Sequence, residues 1–319
     1  MSSPTPSPVS RTAVEIDTQP DCWRRAAALV PAAAEALPRR GERVAVVGCG
    51  TSWFMAQAYA ALREQGGHGL TDAFAASEFP HGRSYDRVVA LTRSGTTTEV
   101  LDLLARLDPS IPSTALTADP ATPVMKLAGA TVVLDFADEE SVVQTRFATT
   151  ALALLRAHLE SEDALPAGVG GIASAARDAE RALAEELPAG TVTAGQISFL
   201  GAGWTYGLAQ EAALKMREAA GSWTESYPAM EYRHGPIAIT GPGRAVWMLG
   251  TLPAGLADDI ARVGGLLVAG SGPEDVALDP MADLVRVHRL AVAAAEAAGR
   301  NPDRPLNLTR SVVLGGQPG

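Results

Sequence analysis

The sequence predicts an α/β fold made of two similar units, each a parallel sheet flanked by helices. Two observations predict it. Short apolar runs alternate with segments of helical spacing along the chain, the pattern of strands fed by crossover helices. A strand–glycine turn–helix signature at Val44–Ser52 returns about half a chain later at Ile197–Thr205. The composition fits: 47 % hydrophobic and 19 % charged residues over 319 positions is globular, and the length favours two domains.

Residues 1–12, rich in Pro, Ser and Thr, read as a disordered tail, because they offer nothing to bury. A helix is expected from about Asp21. Arg43–Val47 reads as a buried strand ending in the glycine turn, and Thr51 to Gly66 as the helix after it. Further strands are expected at Thr71–Ala76, Arg87–Leu91, Ser113–Thr117 and Thr131–Leu134, with a helix at Thr98–Leu107 and a long one over Val143–Glu160. These make a first unit, residues 13–161. Residues 162–172 carry Pro and Gly and read as a linker. The second unit, 173–300, has strands at Ile197–Leu200, Ala245–Leu249 and Gly265–Ala269. Its helices run to Glu186, over Tyr206–Ala220 and over Met281–Ala298. Residues 301–319 read as a C-terminal arm.

Several function classes are excluded at this level. No apolar run is long enough to span a bilayer, and the N-terminus lacks the basic start and apolar stretch of a secretory signal. Cys22 and Cys49 are too few for a disulfide framework or a cysteine zinc site. A net charge of −10 argues against nucleic acid as a partner. The expectation is a cytoplasmic protein with no membrane partner.

Chemistry concentrates in four places. Gly48-Cys49-Gly50-Thr51-Ser52 exposes N–H groups at a helix start, a place that accepts anions. It has neither the third glycine of a dinucleotide fingerprint nor the lysine of a P-loop, and taken alone it is equally well a capped helix. Thr92-Arg93-Ser94-Gly95-Thr96-Thr97-Thr98 places five hydroxyls around one glycine, again between a strand and a helix. A helix cap uses one hydroxyl, so the cluster reads as a phosphate site. Ser141–Arg146 opens the long helix of the first unit and adds Val142 and Gln144 as candidate substrate contacts. In the second unit Glu211, Lys215 and Glu218 share a helix face, followed by an acid- and aromatic-rich loop from Trp223 to Pro236 that holds His234.

These residues resemble a known family. Glu15-Ile16 with Gln19-Pro20, Gly48–Ser52, Ser94-Gly95-Thr96-Thr97, Glu211–Glu218, Glu231–Pro236 and Asn301–Leu308 occur in the order found in sugar isomerase (SIS) domain proteins. The likeness is greatest to the isomerase half of glutamine:fructose-6-phosphate amidotransferase and its single-function relatives. The resemblance implies two flavodoxin-like three-layer SIS subdomains and a homodimer whose active site is shared between chains. It implies that Gly50, Thr51, Ser52 and the loop Thr92, Arg93, Ser94, Thr96 and Thr97 hold a sugar 6-phosphate. It implies that Glu218 moves a proton between C2 and C1 with support from Lys215, and that His234 opens the sugar ring from the partner subunit.

The chemistry is consistent with this: a carbonyl at C1 acidifies the C2 hydrogen, and a carboxylate above C2 can remove it without metal or redox cofactor. Two departures from the family stand out. No glutaminase segment precedes the first unit, so glutamine is not expected as an ammonia source. Arg310 stands where the family carries a lysine that forms a Schiff base; a guanidinium cannot form an imine, but as a fourth catalytic candidate beside Glu218, His234 and Lys215 it can stabilise an enolate or carboxylate-like oxygen. The expected substrate is a phosphorylated sugar, foremost an amino-sugar 6-phosphate. The expected reaction is isomerisation or deamination. The alternatives are elimination of the C3 hydroxyl, and a non-catalytic sugar-phosphate sensor.

Overall fold

A computed structural model describes residues 9–269 and 277–314. The first unit contains α1 (Arg11–Asp17), α2 (Gln19–Ala33), β1 (Val44–Gly48), α3 (Thr51–Gln65), β2 (Thr71–Ala75), β3 (Arg87–Leu91) and α4 (Thr98–Arg106). It continues through β4 (Ser113–Thr117), α5 (Val124–Leu127), β5 (Ala130–Val133) and α6 (Arg146–Ser161). The second contains α7 (Ile172–Ala184), β6 (Gln196–Gly201), α8 (Thr205–Ala220), β7 (Thr224–Pro228), β8 (Arg244–Leu249), α9 (Leu256–Arg262), β9 (Leu266–Ala269) and α10 (Pro280–Ala297).

Both sheets are parallel throughout, with orders β2-β1-β3-β4-β5 and β7-β6-β8-β9. The first is the flavodoxin-like order, and among the described residues the second repeats its first four positions. In such sheets ligands bind beyond the carboxyl ends of the two strands where the order reverses, here β1 and β3 in one unit and β6 and β8 in the other.

The two glycine turns are the same device. Gly48 and Gly201 each end their strand, and a Cβ on either would lie 2.7 or 2.3 Å from backbone or Cβ atoms four residues on. The helix start folds back onto the strand end, so only glycine fits. Gly50 and Gly203 take φ of +54° and +56°, where L residues are strained. The following helices, α3 and α8, pack directly against each other. A Cβ on Gly207 would lie 2.5 Å from the Phe54 carbonyl oxygen and 2.7 Å from the Ala58 nitrogen, so this contact needs a glycine.

One hydrophobic core runs through both units. It joins Trp23, Tyr59, Phe147 and Leu155 to Leu208, Trp247 and Leu290. Every residue of α6 from Phe147 to His158 is buried. Its Arg156 is tolerated inside because it pairs with Asp279 at 2.6 Å and bonds the Gly170 carbonyl.

The structure departs from the sequence expectations in four places. A helix begins at Arg11, inside the tail expected over 1–12. Asp303 holds its first turn, accepting from the N–H groups of Arg11 and Thr12 at 2.9 Å each. Residues 1–8 of that tail and 315–319 of the arm lie outside the described residues. Thr224–Pro228, expected as loop, is the edge strand β7. His234, expected outside any regular element, ends the 3-10 turn Glu231–His234. Finally, α9 occupies a stretch with no element expected. Among the described residues no helix is long and apolar enough to cross a membrane.

Candidate active site

The loops after β1 and β3 meet at the order reversal of the first sheet and enclose a cleft of about 200 Å³. Gly50, Thr51, Ser52, Thr92, Arg93, Ser94 and Thr97 line one side, Val142 and Gln144 another. Glu218 comes from α8, and Leu308–Val312 of the arm close the opening. Neither α3 nor α4 has a side-chain cap on its first turn. The hydroxyl of Thr92, buried at 4 % exposure, has no hydrogen-bond partner among the described residues. Buried donors left over at a helix start are what an anionic oxygen satisfies.

Not every member of the hydroxyl cluster faces the cleft. Thr96 does not line it; its hydroxyl is hydrogen-bonded with those of Ser94 and Ser311, both at 3.0 Å. Arg93 is not a free cation either. Its guanidinium donates to the carbonyls of Ser141 at 3.1 Å and Arg310 at 3.0 Å, and lies 3.7 Å from Glu139. Burial pulls its pKa down against the support of Glu139. Arg93 therefore ties the loop after β3 to the 139–146 segment and to the arm.

Two carboxylates that sequence reasoning left without a role hold that segment. Glu139 accepts from the N–H groups of Thr145 at 2.6 Å and Arg146 at 2.8 Å, and so caps α6. Glu15 accepts from the Glu140 N–H at 2.6 Å and from the Ser141 hydroxyl. Burial raises the pKa of Glu15. Together they fix Val142 and Gln144 against the cleft.

The catalytic candidates divide. Lys215, fully buried, lies behind the wall. Its Nζ donates to Thr51 Oγ1 at 3.0 Å and to a Glu218 carboxylate oxygen, with Glu211 Oε1 at 3.5 Å. Burial opposes its charge, but the carboxylates of Glu211 and Glu218 outweigh it and lift its pKa above the usual lysine range. Lys215 thus joins Glu218 on α8 to the start of α3. Glu218 is the one member of the Glu211–Lys215–Glu218 face that lines the cleft.

His234 is exposed and is not among the residues lining this cleft; Trp223, just before β7, and Met230, just before the turn that ends in His234, are 72 % and 56 % exposed. Arg310 lines the opening, but its guanidinium is bound to both oxygens of Asp138, at 2.6 and 2.8 Å, and to the Glu139 carbonyl. It anchors the arm. Ser311, which no local pattern marks, reaches the Ser94 hydroxyl at 3.1 Å across 217 positions of sequence. Cys49 also lines the cleft, but burial pushes its thiol up to about 11, so it stays protonated and unreactive at neutral pH. Among the described residues no group of three or more His, Cys, Asp or Glu is arranged to hold a metal ion.

No family model matches the sequence. The chain is 28 % identical over 304 residues to the isomerizing glutamine–fructose-6-phosphate aminotransferase of Sulfurisphaera tokodaii, covering 86 % of this chain and 51 % of that protein. It spans about half the length of the curated relatives it matches. The glucosamine-6-phosphate deaminase of Thermotoga maritima superposes with a TM-score of 0.78 at 21 % identity, over 96 % of this chain and all of that one. The C-terminal domain of the glucosamine-fructose-6-phosphate aminotransferase of Francisella tularensis gives 0.75 at 20 % identity, over 95 % of this chain and all of that one. Tandem flavodoxin-like units, a paired glycine turn and these likenesses together make the chain similar in sequence and in fold to the sugar isomerase (SIS) domain proteins that its motifs resemble.

Proposed function

We propose that the cleft binds a sugar 6-phosphate, foremost an amino-sugar phosphate, and that Glu218 carries the C2 proton to C1 in an aldose–ketose isomerisation. Where the C2 amine is free, deamination accompanies it. The observation that carries this reading is that Glu218 faces the same small cleft as the hydroxyl cluster, with Lys215 clamped behind it. The hydroxyls and helix-start N–H groups take the phosphate, which orients the far end of the sugar toward the carboxylate. Glu218 removes the C2 hydrogen, the enediol forms, and the same carboxylate returns the proton at C1. Lys215, behind the wall, holds the Glu218 carboxylate in place and keeps a positive charge against it. Ring opening falls to His234 of a second subunit, and the exposed Trp223 and Met230 support a subunit contact in its loop.

A second reading is elimination of the C3 hydroxyl after the same proton abstraction. Arg310 in place of a lysine favours it, because a guanidinium forms no imine and none of the described residues lining the cleft is a lysine. The chain has two lysines, Lys126 and Lys215, and the second is committed to Thr51 and Glu218.

The test is to incubate the protein with C2-deuterated glucosamine 6-phosphate and its N-acetyl form and to follow products by mass spectrometry. Isomerisation loses label to water with no other mass change, deamination releases ammonia, and elimination loses 18 Da. Glu218→Gln keeps the shape without the base, and turnover should fall by roughly 10²–10⁴. Wild-type turnover in that variant would overturn both enzymatic readings and leave a sugar-phosphate sensor.

A further inference from the structure

A chain of buried polar groups runs behind the proposed base and reaches residues that the reaction does not touch. It starts at Trp23, whose indole N–H donates to the Thr149 hydroxyl at 3.0 Å. That hydroxyl has its shortest contact, 2.7 Å, to Gln19 Oε1. Gln19 Nε2 faces the Ile16 carbonyl at 3.3 Å and His288 Nδ1 at 3.3 Å. His288 Nε2 lies 3.7 Å from Glu211 Oε1, which lies 3.5 Å from Lys215 Nζ.

The polarity of this chain is fixed by its ends. An indole N–H only donates, so Thr149 accepts there and gives its own proton onward. A backbone carbonyl only accepts, so the amide nitrogen of Gln19, not its oxygen, faces Ile16 and therefore His288 as well. His288 Nδ1 must then accept, and the proton of the neutral ring sits on Nε2, toward Glu211. Glu211 and His288 are 0 % and 1 % exposed. Neither oxygen of Glu211, nor His288 Nε2, has another hydrogen-bond partner among the described residues. Each is the other's complement, and a shift of less than 1 Å brings them to bonding distance.

We infer that His288 is a positioning residue for the Lys215–Glu218 pair, acting through Glu211, with its tautomer set by Gln19. Lys215 stands between two carboxylates, Glu211 inside and Glu218 at the cleft. Burial lifts the Glu211 pKa to about 7 against the charge of Lys215, so a donor on Glu211 favours its ionised form and shares that charge, which leaves the ammonium turned toward Thr51 and Glu218. Without that donor Glu211 competes for Lys215, and the base loses its clamp. Burial, followed by the Lys215 charge, pushes His288 down to about 3, so the ring is a neutral donor at working pH. The inference rests on the proposed role of Glu218 for its effect on turnover, but the coupling of His288 to Lys215 can be read without any substrate.

The experiment uses the whole chain labelled with nitrogen-15 at lysine Nζ and histidine. With only Lys126 and Lys215 present, two ammonium signals are expected, and Lys126→Arg assigns them. The His288 ring should show the Nε2–H tautomer. His288→Leu should move or broaden the Lys215 signal, and His288→Gln, which keeps an N–H, should return it toward the wild-type position. Gln19→Met leaves the ring in place and guards against a Leu variant that does not fold; it too should disturb the Lys215 signal. On a substrate, His288→Leu should lower kcat about tenfold or more with KM within about twofold, and Gln should recover most of it. An Nδ1–H tautomer, or a Lys215 signal unmoved in a folded Leu or Met variant, overturns the inference. A shifted signal in a protein with no turnover on any sugar phosphate leaves the coupling standing and overturns the reaction instead.

Discussion

The buried histidines of this fold are held neutral by neighbours that leave no room for a proton. His68 is fully buried, and its Nδ1 accepts from Arg63 Nε at 3.2 Å. Burial, then the charge of Arg63, then His158 and Arg40, push it down to about 4; Glu162, at 3.9 Å, is the one group opposing them. The unfolded chain takes up a proton near pH 6.5 that the folded chain refuses until about pH 4. More protons on the unfolded side mean that stability falls with the pH across that window. Urea unfolding between pH 7 and 4 should show a loss on the order of 1–3 kcal/mol from this site. His68→Asn keeps an acceptor for Arg63 and has no proton to take up, so its stability should depend less on pH in the same range. An unchanged slope would mean that the loss arises elsewhere.

Among the elements, the loop before α4 carries the most specific expectation. Ser94→Ala and Thr97→Ala should each weaken a sugar phosphate by about 1–3 kcal/mol, the scale of a hydrogen bond to a charged group, and leave the unphosphorylated sugar unaffected. Titration calorimetry with both ligands decides it; equal weakening would move the phosphate elsewhere. This loop was legible in the sequence because five hydroxyls exceed what a helix cap uses. The strands β1, β3, β4, β6 and β8 were legible as apolar runs, since both faces of a parallel sheet are covered. The edge strand β7 was not, because an edge facing partly outward can carry Glu225, Tyr227 and Pro228 and so reads as loop. The anchoring roles of Glu15, Glu139, Arg310 and Ser311 were not legible either. Each depends on a partner that folding, not local spacing, brings near: Glu15 meets Ser141, Arg310 meets Asp138, Ser311 meets Ser94.

His234 is exposed and does not line the cleft of its own chain, while the resemblance implies that it serves a partner's. If so, Glu218→Gln and His234→Ala chains, each inactive, should complement when mixed. Half of the dimers would be hybrid and each would hold one intact site, so roughly a quarter of wild-type turnover should return. No recovery after mass spectrometry has shown subunit exchange would place His234 outside the reaction.

The contact between α3 and α8 at Gly207 has a further consequence. Thr51 and Ser52, two of the proposed phosphate contacts, open α3, and Glu218, the proposed base, stands on α8, so on that proposal the spacing of the two helices is a gauge of molecular length. It measures how far a carbon skeleton extends from its phosphate, whatever the orientation of the hydroxyls between. A methyl group at Gly207 would meet the Phe54 carbonyl and wedge the gauge open, at about 1–3 kcal/mol for overpacking. It would also stretch the 3.0 Å reach from Lys215 to Thr51. In Gly207→Ala, affinity for inorganic phosphate should hold while the preference among five-, six- and seven-carbon sugar phosphates moves toward the longer. Competition assays across that series would read the change, and an unaltered ranking in a folded variant would show that length is set somewhere other than this seam.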